Sequence, residues 1–199
     1  MLKVGITGGI GTGKTTACKV FELLGIPVYY SDIRAKLLMG SDPDLIKKIK
    51  DRFGEQVYLD NGEPDRKLLA SLVFNDADKL AALNGLVHPA VFYDFDLWSR
   101  QQNSPYVLKE AAILFESGSD RDCDYTIVVT SPLDLRIKRV ISRDHLSLEA
   151  IKKRMDKQLP DSDKIKLATF KLVNDESTLL IPQILHLHEH LLLLNSEKK

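Results

Sequence analysis

The stretch GITGGIGTGKTT, Gly5 to Thr16, carries five glycines in twelve residues and ends on a lysine followed by two hydroxyls. Backbone amides crowd around an anion only where no Cβ blocks them, and glycine also adopts the positive φ angles such a loop requires. The spacing Gly8, four residues, Gly13, Lys14, Thr15 fits the P-loop pattern. In that pattern amides cradle phosphates, the lysine reaches the terminal ones and the hydroxyl holds Mg²⁺. The expected cradle is Gly9, Ile10, Gly11, Thr12, Gly13, Lys14, Thr15 and Thr16, with Thr15 as the metal-holding hydroxyl.

The flanks agree with this reading. LKVGIT before the loop is an apolar run suited to a buried strand, and Ala17, Val20, Phe21 and Leu24 after it fall on one helical face. A phosphate held there meets the positive end of a helix. The 199 residues allow one good core with a smaller subdomain. Twenty-eight basic residues balance 28 acidic ones, so no net charge favours nucleic acid, and clusters such as Lys47–Lys50 and Lys152–Arg154 read as solvated helix faces. No segment approaches the roughly 18 consecutive apolar residues of a membrane span, and the first apolar run leads into the glycine loop rather than a cleavage site. The expected compartment is the cytoplasm, with no membrane partner. Cys18 and Cys123 are too few and too far apart for a disulfide framework or zinc site.

Further along, IPVYY (Ile26–Tyr30) reads as a second strand with Asp32 just past its end, where ligands bind in open α/β sheets. From Ile33 to about Gln102 the pattern is helical, broken by GSDPD (Gly40–Asp44) and DNGEPD (Asp60–Asp65). PYVLKEAAIL (Pro105–Leu114), YTIVVT (Tyr125–Thr130) and ATFKLVN (Ala168–Asn174) supply three more strands. Pro132 opens a helix bearing Arg136, Lys138, Arg139 and Arg143, and Leu180, Ile184, Leu187, Leu191 and Leu194 form the buried stripe of a last helix. The expectation is an α/β three-layer fold on a five-stranded parallel sheet. Its nucleotide-binding core comprises 1–30, 105–140 and 165–199, with a helical substrate-binding insertion over 31–104 and a small lid over 141–164. His186 and His190 lie one turn apart on the last helix, but a polar face opposite the leucines accounts for them together with His188.

A P-loop alone admits kinases, motors and switches. A guanine-selecting NKxD is missing, since Asn75 and Asp76 adjoin without a lysine between them. A helical insertion beside the loop and a later arginine-rich helical pair suit a small-molecule kinase, which must keep water from the γ-phosphate while admitting another acceptor.

The motifs GITGGIGTGKTT, SDIRAKLL (Ser31–Leu38), LNGLVHPAV (Leu83–Val91), ILFESG (Ile113–Gly118), RVISRD (Arg139–Asp144) and the KQ pair at Lys157 and Gln158 occur in this order. In order and spacing the chain resembles the dephospho-CoA kinase family over nearly its whole length. The resemblance implies transfer of a phosphoryl group from ATP, with Mg²⁺, to the ribose 3′-hydroxyl of dephospho-CoA, the last step of coenzyme A synthesis. It implies Lys14 on the β and γ phosphates, and Asp32 as orienter or base for the acceptor hydroxyl, although a carboxylate there also suits a helix cap. Arg139 and Arg143 match the family's lid arginines, stabilising the transferring group or clasping adenine, with surface ion pairing as the alternative. His88 touches the acceptor or ties down a helix, and Glu116 shapes the acceptor wall.

Two departures from the family pattern stand out. Tyr30 and Ser31 replace the first residues of the usual DAD, and Ala112, Ile113 and Leu114 replace proline-leucine-leucine. Glu110 is either a Mg²⁺ partner through water or a salt-bridged strand end. A kinase of another small acceptor, such as a nucleoside monophosphate, is the second enzyme reading, and a nucleotide-dependent binding switch is the non-enzyme one.

Overall fold

A computed structural model of the chain describes residues 1–74 and 76–197; Asn75 and the last two lysines of the polar tail lie outside them. In chain order the described residues form β1 (Leu2–Thr7), α1 (Lys14–Leu23), β2 (Val28–Tyr30), α2 (Ser31–Ser41), α3 (Pro43–Phe53), α4 (Arg66–Phe74) and α5 (Ala77–Arg100). There follow β3 (Tyr106–Glu110), β4 (Tyr125–Thr130), α6 (Leu133–Asp144), α7 (Leu148–Met155), α8 (Asp161–Leu167), β5 (Phe170–Val173) and α9 (Leu180–Glu197). Short 3-10 turns occur at Glu55–Val57 and Ser119–Asp122. The chain divides into two compact units, Met1–Tyr30 with everything from Ser99 onward, and Ser31–Trp98.

The first unit is built on a parallel sheet of strand order β2-β3-β1-β4-β5. β1 is central, and Leu2, Val4 and Ile6 are fully buried, as expected of a strand covered on both faces. Ala17, Cys18 and Phe21 of α1 and Ile184, Leu187 and Leu191 of α9 join them in one core. Each of the leucine, isoleucine, valine and phenylalanine side chains contributes roughly 1.5–3 kcal/mol on burial. The leucine stripe of α9 thus does what its spacing requires.

The third strand is shorter than its apolar run. It stops at Glu110, and the chain then turns, bringing Leu114 back over the sheet, where a Cβ on Gly5 would lie 2.8 Å from it. The apolarity of Leu114 reflects that burial, while Ala111, also buried, still donates its N–H to the Ile6 carbonyl at 3.1 Å.

The second unit is helical. Asp42 caps α3, its carboxylate accepting from the amides of Asp44 and Leu45, with Pro43 at the first position. Asp65 does the same for α4 by accepting from Lys67 and Leu68. Both turn signals in the sequence are therefore helix starts. A two-pronged pair from Arg34 to Asp94, at 2.8 and 2.5 Å, ties α2 to α5. Among the described residues no helix is long and apolar enough to cross a membrane.

Candidate active site

β1 lies between β3 and β4, so the crevice beyond its carboxyl end is where such sheets place ligands. The loop from Gly8 to Gly13 fills that position. Gly11 and Gly13 have φ of 81° and 92°, the left-handed region closed to most side chains, and Gly13 serves as N-cap of α1. Thr12 is buried and closes the loop on itself, its hydroxyl donating to the Gly9 carbonyl at 2.9 Å. The first amides of α1, in the turn that begins at Lys14, carry the positive end of the helix. Lys14 Nζ stands 3.8 Å from Glu110 Oε1 at the end of β3.

A second set of side chains holds the loop from outside. Asn174 Nδ2 donates to the Thr12 carbonyl at 2.8 Å, and Arg136 Nε donates to the Ile10 carbonyl at 2.9 Å. The Ile10 N–H is itself taken by Gln158 Oε1 at 3.0 Å. The packing leaves no room for larger residues: a Cβ on Gly9 would overlap the Arg136 guanidinium, one on Gly13 would overlap the Asn174 amide, and one on Gly11 would lie 2.6 Å from the Arg136 carbonyl oxygen.

The arginines of α6 differ in setting. Arg139 donates to Ser131 Oγ at 3.0 Å and to the Asn174 carbonyl at 3.2 Å, and pairs with Glu176 at 3.2 Å. Through Asn174 it is linked to the P-loop. Arg143 is exposed and forks onto its neighbour Asp144 at 2.7 and 2.8 Å. Glu116 Oε1 accepts from the Leu159 amide at 2.7 Å and pairs with the buried Lys164 at 3.0 Å.

In the helical unit Asp32 is exposed in the first turn of α2, two residues along the chain from β2. His88 is half-buried on α5, stacked on Phe92, and burial lowers its pKa below the usual imidazole value. A cavity of about 620 Å³ in this unit is lined by Lys36, Leu37, Leu59, Arg66 and Lys67, among others.

The sequence model of the dephospho-CoA kinase family matches residues 2–179, nine-tenths of the chain and both of its units. The chain belongs to the dephospho-CoA kinase family. It is 38% identical over 187 residues to the dephospho-CoA kinase of Bacteroides fragilis, covering 94% of this chain and 91% of that one. Among solved structures it is similar to TT1252 from Thermus thermophilus, at 31% identity, TM-score 0.80 and 96% coverage of both chains. The dephospho-CoA kinase from Campylobacter jejuni matches at 27% identity, TM-score 0.64 and 92% coverage of both.

Within this dephospho-CoA kinase framework, sequence reasoning overlooked Asn174 and Arg136. Asn174 ends a strand-like run and Arg136 sits in a basic helix, so only contact with the loop distinguishes them. Gln158 was visible as half of the KQ pair, but with no partner. The histidines of α9 divide differently from a single polar face: His188 bonds the Tyr106 hydroxyl at 2.7 Å, and His190 meets the Phe170 ring edge-on. Among the described residues no group of three or more His, Cys, Asp or Glu is placed to hold a metal ion.

Proposed function

We propose that the chain transfers the γ-phosphoryl group of ATP to the ribose 3′-hydroxyl of dephospho-CoA, giving coenzyme A and ADP, in the cytoplasm. The observation that carries this reading is an intact P-loop, closed by Thr12, in a chain whose family match spans both units. In the proposed reaction the loop and first-turn amides, Gly11 and Gly13 to Thr16, bind the triphosphate at the start of α1, and Lys14 offsets charge on its outer oxygens. Asp32 orients the acceptor hydroxyl and takes its proton as the oxygen attacks phosphorus. Arg139, held by Ser131 and Asn174, stabilises charge spreading onto the transferred group, and Arg143 closes over the nucleotide.

The Thr15 hydroxyl and the Glu110 carboxylate are hard oxygen donors of the type Mg²⁺ prefers, so both fit that ion, Thr15 directly and Glu110 through water. Bound there, Mg²⁺ would supply neutralisation of the β and γ oxygens. Within the helical unit, one cavity carries side chains of a chemistry that suits the acceptor. Lys36, Arg66 and Lys67 suit its diphosphate, and Leu37 and Leu59 suit its apolar arm. In the same proposal His88 on α5 contacts the acceptor, and Glu116, held by the Leu159 amide and Lys164, shapes the acceptor wall.

Incubation with ATP, Mg²⁺ and a panel of acceptors tests the proposal. Phosphorylated product is expected with dephospho-CoA and not with nucleoside monophosphates. The reverse pattern would instead make the chain a nucleotide kinase.

A further inference from the structure

We infer that Gln158, together with Arg136, is a positioning residue for ATP. The two side chains clamp the outer part of the P-loop to the connector between α7 and α8. The inference rests on the kinase reading above, but the clamp itself is measurable without turnover.

Ile10 is the point of attachment. Its N–H donates to Gln158 Oε1 at 3.0 Å and its carbonyl accepts from Arg136 Nε at 2.9 Å, so the peptide units on both sides of the residue are held. Both polar backbone groups of Ile10 are thus committed to protein. The Thr12 N–H is likewise taken, by the Gly9 carbonyl at 3.3 Å, so the outer part of the loop is held in shape by the protein itself.

The clamp is itself anchored. Gln158 Nε2 donates to the Ala112 carbonyl at 3.2 Å, and that oxygen also accepts from Lys164 Nζ at 3.2 Å. Lys164, fully buried, pairs with Glu116, which in turn accepts from the amide of Leu159, the residue after Gln158. Arg136 is fixed by Asp161 at 2.6 Å, on the first residue of α8. Two buried cations with their carboxylates therefore surround one short connector, at a desolvation cost that only precise geometry offsets.

Glutamine suits the position because a single side chain offers an acceptor to Ile10 and a donor to Ala112. A glycine-rich loop left to itself would lose roughly 1–2 kcal/mol of backbone entropy per residue on closing around phosphate. A loop already held in shape avoids part of that loss, which appears as tighter binding. A lid connector that holds the loop also couples the two: displacement of residues 156–160 loosens the nucleotide cradle.

The test compares wild type with Gln158→Ala and Gln158→Glu. Three quantities are read: hydrogen exchange at the Ile10 amide of the ligand-free protein, magnesium-ATP affinity by calorimetry, and the KM for dephospho-CoA. Gln158→Ala is expected to speed Ile10 exchange and weaken magnesium-ATP about five- to tenfold, the loss of one to two buried hydrogen bonds, with the KM for dephospho-CoA unchanged. Gln158→Glu keeps the acceptor for Ile10 but loses the donor to the Ala112 carbonyl, so it is expected to recover only part of the Ile10 protection. Unaltered Ile10 exchange in Gln158→Ala, or wild-type ATP affinity in that variant, would each overturn the clamp. If wild type takes up magnesium-ATP but leaves dephospho-CoA unphosphorylated, the proposed function fails, and the exchange and affinity comparisons still decide the clamp.

Discussion

Lys14 Nζ lies 3.8 Å from Glu110 Oε1, joining the first turn of the P-loop helix to the carboxyl end of the neighbouring strand β3. Both side chains are close to buried, about a tenth exposed, so water screens the pair little. Removing the carboxylate takes charge compensation from a cation in a region of low dielectric.

Glu110→Gln is accordingly expected to cost about 1–2 kcal/mol of stability, read by urea unfolding. The loss should shrink at saturating magnesium-ATP, because the triphosphate then replaces the carboxylate as the anion facing Lys14. An equal loss with and without nucleotide would separate the Lys14–Glu110 pair from ATP binding.

Gly9→Ala tests how tightly the loop is enclosed. Gly9 is not among the positive-φ residues, so alanine meets no backbone penalty there; its Cβ instead overlaps the Arg136 guanidinium. Displacing Arg136 breaks its bonds to Ile10 and Asp161 together. Thermal unfolding should report a loss of about 1–3 kcal/mol, with weaker ATP binding alongside. Gly25→Ala serves as a control, since a Cβ there meets nothing within 4 Å and only its φ of 80° is strained.

The proposed base is separable from the proposed phosphate ligands. Asp32→Asn should lower kcat for dephospho-CoA by on the order of a hundredfold or more while leaving ATP affinity nearly intact. Lys14→Ala should abolish turnover. Wild-type kcat in Asp32→Asn would remove Asp32 from proton transfer.

A pH dependence follows from His188. Its Nδ1 is 2.7 Å from the Tyr106 hydroxyl, and burial lowers its pKa below the ordinary 6.5, with Glu189 opposing. The unfolded chain therefore takes up the proton first as pH falls. Stability from this group is complete above 6.5 and declines from there down through the folded pKa. Melting temperatures between about pH 7.5 and 5 should fall accordingly, and His188→Gln should flatten part of the slope. His88, shifted in the same direction by burial, adds to the slope with the same sign.

The P-loop was legible along the chain. Glycine spacing marks the loop because φ above zero and the exclusion of Cβ are demands on single positions, visible wherever they occur. The stripes of α1 and α9 are legible for a similar reason: burial on one helical face repeats every three or four residues. The end of β3 was misjudged because Leu114 is apolar for packing, and an apolar residue looks the same in a ladder and beneath a turn. Arg139 illustrates the opposite case. Its position in a basic helix is compatible with either proposed role, and only its bonds to Ser131 and Asn174 show it tied to the loop's support.

By itself, then, the sequence determined the parallel α/β class, the phosphate-binding loop and the family, because each depends on local periodicity or on motifs read in order. What only the tertiary structure decided is the shell around that loop. Asn174 on Thr12, Arg136 and Gln158 on Ile10, and Glu110 beside Lys14 join residues between 96 and 162 positions apart. No periodicity links such partners. They meet because a parallel sheet brings the carboxyl ends of β1, β3, β4 and β5 to one edge, and the helices that follow them inherit that placement.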